Sequence, residues 1–281
     1  MSKYSSELSK GEILFIEISS ICDHYGISNY SINSDGSIDV DGDVDLRGIR
    51  FWDVFKIPGK RNNWTLDRLP LSFRKVSGTF DCRYNNLEFL DGCPIEVGGN
   101  FFISDNRLKS LVGCPIMVRR FLAGGNLITD LVGCPEVIDG DFNVSGNRNL
   151  VSLKGGPRLV LKNGYYDFSD TGLVDPIGFL EMDGFKSTIY FKNNPFCNLL
   201  NLFLSRGFGY NCHCVNLNSC SHVKDYNYIY LMIRIIIDRN IIDGYVINMD
   251  NFYDLYYDLL DIGVINSIGG ELDLPGYILG S

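Results

Sequence analysis

Apolar residues recur in this chain with a period far longer than a helical turn. The pattern apolar-x-apolar-x-x-Asn-x-apolar-x-x-Leu appears as Phe80, Cys82, Asn85, Leu87, Leu90 and again as Phe101, Ile103, Asn106, Leu108, Leu111. It returns as Phe121, Ala123, Asn126, Ile128, Leu131, then as Phe142, Val144, Asn147, Leu150, Leu153 with one extra residue. Weaker copies follow at Tyr166, Phe168, Thr171, Leu173 and at Ile189, Phe191, Asn194, Phe196, Leu199. One copy, Val44 and Leu46, precedes them, which makes seven. Between copies stand Gly92-Cys93-Pro94, Gly113-Cys114-Pro115, Gly133-Cys134-Pro135 and the degenerate Gly155-Gly156-Pro157, with prolines 21, 20 and 22 residues apart. Residues two apart share a strand face, so each copy predicts one short strand of a parallel sheet. Asn suits the point where the chain leaves the sheet, because its amide can satisfy backbone groups there. Gly and Pro suit the bend that follows.

A unit of ~20–22 residues cannot bury its own apolar face, so the copies must stack. The spacing is the leucine-rich-repeat pattern in its short form. It predicts an α+β repeat solenoid of about seven coils, with a parallel β-sheet on the concave face and extended or turn-like convex segments.

The ends have other periods. Residues 5–25 read as an amphipathic helix anchored by Leu8, Ile13, Ile16, Ile18 and Ile21. A hairpin follows, Tyr30 to Ile32 and Ile38 to Val40, turning at Ser34-Asp35-Gly36. Residues 198–206, 224–240 and 249–262 read as helices. The expected organisation is an N-terminal helix and hairpin cap (1–40), a repeat array (41–200) with an insertion at 48–68, and a C-terminal helical cap (201–281).

The run from Tyr25-Gly26-Ile27 through Ser34-Asp35-Gly36-Ser37-Ile38-Asp39-Val40-Asp41-Gly42-Asp43-Val44 resembles the opening of short leucine-rich-repeat proteins of large tailed bacteriophages and some bacteria. The Leu-x-Gly-Cys-Pro copies, Val97-Gly98-Gly99 and the late Leu259-Leu260-Asp261-Ile262-Gly263 continue the resemblance. It implies the fold, and a viral protein that docks on a host protein, with inhibition of host defence as one concrete form. The repeats are also similar to those of bacterial effector ubiquitin ligases. The ~80 residues after the array are too few for that family's catalytic domain.

Composition narrows the function. The chain has 281 residues, 45% hydrophobic and 21% charged, with net charge −9. That balance argues against a surface that grips nucleic acid everywhere. Its most apolar stretch, Tyr226 to Asp238, is too short for a membrane span and carries Arg234. The polar start lacks the basic-then-apolar order of a secretory leader. Nine cysteines without a dense framework suggest buried thiols in a reducing compartment. The expectation is a cytoplasmic protein, in the host cytoplasm if viral, with no membrane contact.

Three candidate sites stand out. The insertion holds Arg50, Phe51, Trp52, Phe55, Lys60, Arg61 and Trp64, and residues 47–83 carry nine bases and three acids. Aromatics beside arginines suit a protein hot spot or a nucleic-acid contact. The outward strand positions, among them Asp81, Arg83, Phe102, Arg120, Leu122, Asn143, Asp167, Tyr190 and Lys192, form the second candidate for partner binding. Against the first stands the bland alternative of aromatics packed on the array and solvated bases, and against the second a face covered by the insertion or by the C-terminal cap. The third is Cys212, Cys214, Cys220 and His222, soft ligands in a C-x-C-x5-C-x-H spacing that is tighter than common zinc motifs. Zinc is the one cofactor considered. No nucleophile with an orienting base and no phosphate loop is evident, so a non-enzymatic binding protein is expected. The alternatives are a nucleic-acid-binding or nucleic-acid-mimicking protein, and a structural component of a viral particle.

Overall fold

A computed structural model describes residues 9–48, 65–161, 164–175, 177–178, 188–196, 199, 233–243, 246–261 and 278–280. It is α+β. Its centre is a sheet of seven parallel strands: Val44–Asp45, Phe80–Asp81, Phe101–Phe102, Phe121–Leu122, Phe142–Asn143, Tyr165–Asp167 and Thr188–Tyr190. Neighbours in the sheet are neighbours in the repeat, and register places Phe80, Phe101, Phe121, Phe142, Tyr166 and Ile189 in one row. That row is buried, with its apolar companions Cys82, Ile103, Ala123, Val144, Phe168 and Phe191. The rings stack from copy to copy: Phe80 on Phe101 at 5.7 Å, Phe101 on Phe121 at 6.3 Å, and Phe121 on Phe142 at 5.7 Å.

The Asn ladder forms where the sequence places it. Asn126 Nδ2 donates to the carbonyls of Ile103 and Ala123, both at 3.0 Å, while its Oδ1 accepts from Leu108 N at 3.1 Å. Asn85, Asn106 and Asn147 bridge neighbouring copies through the same amide. Where Thr171 replaces Asn, its hydroxyl reaches the Phe168 carbonyl and Asn194 Nδ2 reaches across to it as well.

Among the described residues, six of the seven copies also hold a second short strand ahead of the corner, where, beyond the expected Ile38–Val40, only extended or turn-like chain was expected. Ile38–Val40, Phe73–Val76 and Glu96–Val97 pair parallel in one sheet, and Met117–Val118, Val137–Ile138 and Leu159–Val160 in another. These strands form because Val40, Val76, Val97, Val118, Ile138 and Val160 are buried from the far side of the core. The corner between the two rows is tight: a Cβ on Gly99 would lie 2.6 Å from the Gly78 carbonyl oxygen. At Val118-Arg119-Arg120-Phe121 the corner is one residue shorter, and the two outer sheets are not ladder-paired across it.

The N-terminal helix α1 spans Lys10–Tyr25 and opens with a capping box between Ser9 and Glu12. Gly26 closes it in the left-handed conformation, at φ 67°. Only its C-terminal half seats on the core, through Ile18 and Cys22, with Ile21 and Tyr25 partly buried. Ile13 and Ile16, expected as anchors, are about half exposed, because the helix meets the array only beyond its second turn. The hairpin forms as expected, with Ile32 opposite Ile38. Its second strand pairs parallel with Phe73–Val76, so the hairpin and the strands that follow share one sheet.

The C-terminal segment is not wholly helical. A helical segment at 233–238 and helix α2 (Met249–Asp261) enclose Ile242–Asp243 and Val246–Asn248, which pair antiparallel. Ile278–Gly280 adds a parallel third strand. The Asp-Gly step at positions 243 and 244, between β-branched runs, is the local signal for that hairpin. The expected helix 198–206 lies almost wholly outside the described residues. No helix among the described residues is long and apolar enough to cross a membrane.

Among the described cysteines, Cys22, Cys82, Cys93 and Cys134 are buried and Cys114 is half-buried, all as free thiols. Burial pushes Cys82, Cys93 and Cys114 well above the ordinary thiol range. The thiolate is the reactive form. Iodoacetamide at pH 8 should therefore leave Cys82 and Cys93 unmodified in the native protein and alkylate both in guanidinium, as peptide mass spectrometry would read. Native alkylation of Cys82 at the rate of a free thiol would contradict this packing.

Candidate interaction surface

Strand alternation turns a second set of side chains outward from the seven-stranded sheet. Register places Asp45, Asp81, Phe102, Leu122, Asn143, Asp167 and Tyr190 in one row. Two residues further along each copy stand Arg47, Arg83, Ser104, Gly124, Ser145, Ser169 and Lys192. Phe102, Leu122 and Tyr190 are half-buried, while Arg120 and Lys192 are exposed.

The N-terminal end of the face is an ion-pair network. Arg83 grips Asp81 through Nε at 2.9 Å and Nη2 at 2.7 Å. Arg47 grips Asp45 with the same distances. Arg47 Nε also lies 3.6 Å from Asp81 Oδ2. The two carboxylates raise both guanidinium pKa values further above their ordinary range. Asp81 stands on the outward row as the alternation suggested, but the two guanidinium groups bury it. Arg83 is half-buried because its guanidinium lies 4.8 Å from the Phe102 ring centroid. Sequence reasoning had missed Asp45 and Arg47, although the spacing Asp-x-Arg occurs at both 45–47 and 81–83.

The C-terminal end is acidic and aromatic. Asn143 Nδ2 donates to Asp167 Oδ2 at 3.2 Å, and Ser145 Oγ donates to Asn143 Oδ1 at 2.8 Å. Arg120 Nε lies 3.3 Å from Asp141 Oδ2. Tyr165 packs edge-on against Tyr190 at 5.9 Å, and burial raises its pKa. Tyr165 was not foreseen; it stands one strand position before the core residue Tyr166.

A trough of about 360 Å³ crosses the sheet where the strands end, between Arg83 and Tyr84 on one side and Tyr165 and Asp170 on the other. Its floor is Gly124, Gly125 and Gly146. The turn position that follows each strand is left-handed in copy after copy: Tyr84 at φ 63°, Asp105 at 56°, Gly125 at 67°, Gly146 at 72°, Asp170 at 57° and Asn193 at 57°. Two glycines stand in the middle of that row, and both line the trough.

The insertion residues Arg50, Phe51, Trp52, Phe55, Lys60, Arg61 and Trp64 lie outside the described residues. Its roots do not. Gly48 N donates to the Arg83 carbonyl, and Leu66 N donates to Asn85 Oδ1. Leu66 thus stands to Asn85 as Leu87 stands to Asn106. Seventeen residues separate Gly48 from Leu66, where two separate Tyr84 from Leu87. Cys212, Cys214, Cys220 and His222 also lie outside the described residues. Among the described residues no group of three or more His, Cys, Asp or Glu side chains is placed to hold a metal ion. Comparison of the chain with family models, with curated proteins and with solved structures returned no match.

Proposed function

We propose that this chain is a non-enzymatic leucine-rich-repeat solenoid that binds another protein on the open face of its seven-stranded sheet. Following the resemblance to phage-encoded repeat proteins, the partner is a host protein in the host cytoplasm, and inhibition of a host defence is the form the activity takes. The observation that carries the reading is the face itself. It aligns half-buried Phe102, Leu122 and Tyr190 with charged groups held in fixed geometry. Aromatic anchors amid ordered polar groups are the ingredients of an interface hot spot. The insertion roots beside Arg83, where Gly48 N donates to the Arg83 carbonyl.

Affinity capture from nuclease-treated host lysate tests it. The double variant Phe102→Ala with Tyr190→Ala should lose a single enriched protein, with a Kd raised at least tenfold, since a hot-spot truncation costs about 2 kcal/mol. Capture lost only when Trp52 and Trp64 become Ala would move the site to the insertion. Recovery of nucleic acid instead, with steep salt dependence, would replace this reading with the nucleic-acid one.

A further inference from the structure

We propose that the glycine-floored trough at the strand ends takes an extended segment of the partner that carries lysine or arginine. This deepens the protein-binding reading and rests on it. The shape comes first. The trough runs across the strands from the copy of Arg83 to the copy of Asp170, four strand spacings, or roughly 19 Å. An extended chain advances about 3.3 Å per residue, so roughly six residues fit along it. Gly125 and Gly146 occupy positions where sibling copies carry Tyr84, Asp105, Asp170 and Asn193. A Cβ on Gly125 would meet Asp105 Oδ1 at 2.9 Å and one on Gly146 would meet Gly125 N at 3.3 Å, so this stretch of the trough is lined by backbone and by the Asp105 carboxylate.

Charge selects the occupant. From Asp105 to Lys192 along the face, Asp105, Asp141, Asp167 and Asp170 share it with Arg120 and Lys192. Arg120 is engaged with Asp141. Asp170 is exposed and accepts a hydrogen bond from Asn193 Nδ2 at 2.8 Å, and Asp167 accepts one from Asn143. Neither is in an ion pair among the described residues. At the other end Arg83 is committed to Asp81 and Phe102, so an acidic side chain finds no open guanidinium there. Asn143 and Ser145 offer neutral hydrogen-bonding groups between the two ends.

The test uses end-labelled, blocked octapeptides that alternate glycine with lysine, glutamate or serine, read by fluorescence anisotropy on the full chain at low salt. The lysine peptide should bind, and the glutamate and serine peptides should not. Gly146→Asn fills the trough while keeping the left-handed turn, since Asn193 already adopts it at the equivalent position. Its Cβ would lie 3.3 Å from Gly125 N, a contact that a small backbone shift relieves. The variant should keep its unfolding midpoint and weaken the lysine peptide at least tenfold. Because the substitution changes no charge, general attraction to a chain of net charge −9 would survive it. Asp170→Asn should weaken binding about fivefold and flatten its salt dependence. No binding of the lysine peptide, equal binding of the glutamate peptide, or lysine binding unchanged in Gly146→Asn would each overturn the inference. Partner capture lost in the Phe102 and Tyr190 double variant but kept in Gly146→Asn would leave the sheet-face reading standing and remove the trough from it.

Discussion

Replacing Asn126 with Leu is expected to cost about 3–4 kcal/mol of unfolding free energy, although the side chains are close in size. The cost is polar. Leu108 N–H loses its acceptor, Asn126 Oδ1 at 3.1 Å, inside the core. An orphaned buried donor costs about 1–3 kcal/mol. The carbonyls of Ile103 and Ala123 each lose one of two donors and keep the other, from Asn106 and Asn147 respectively. Each lost bond adds about 1 kcal/mol. Urea unfolding followed by circular dichroism measures the sum. A loss below about 1 kcal/mol would mean that water enters the ladder or that the turn rearranges. Because adjacent rungs share carbonyls, Asn126→Leu and Asn147→Leu together should be worse than additive.

Phe121→Ala should destabilise by about 3–5 kcal/mol, the usual range for emptying a buried aromatic site. Phe121 is fully buried and stacked on Phe101 and Phe142 on either side. Its neighbours cannot close the gap, because backbone hydrogen bonds from Phe101 N to Arg120 O and from Phe121 N to Asp141 O fix the strand spacing. In a stacked array each copy is stabilised by the next, so the loss should spread. Amide exchange should quicken first in strands Phe101–Phe102 and Phe142–Asn143. Phe89→Ser serves as the control, since Phe89 is 66% exposed and its replacement should change stability by less than about 0.5 kcal/mol. Equal effects of the two substitutions would contradict the placement of the core.

Much of this fold was legible in the residues because its parts repeat. A single apolar alternation of Phe101 and Ile103 fits many strands. The same alternation with Asn106 and Gly113-Cys114-Pro115 at fixed offsets, stacked several times, fits one register of pairing. Beyond Ile38–Val40 the outer row of strands was not legible, because two residues such as Glu96–Val97 are too few to show a period. The C-terminal sheet was missed for a different reason. Its residues lie between helical periods, and the third strand, Ile278–Gly280, joins from about thirty residues away. The site was legible only as a list of outward positions. That Asp81 is buried under two arginines depends on where Arg47 of the preceding copy falls.

By itself the sequence determined the repeat, its phase and the row of residues that fills the core, because burial and backbone satisfaction leave few choices at those positions. The tertiary structure decided what lies between copies. Side chains some twenty to forty residues apart in the chain become neighbours across one strand spacing, and only then do their charges, rings and gaps combine. The Asp–Arg network, the Tyr165–Tyr190 contact and the trough over Gly124, Gly125 and Gly146 are all of that kind. A glycine in a turn reads locally as conformational freedom. Two of them stacked in register, among siblings that carry side chains, bring backbone to the surface of the trough.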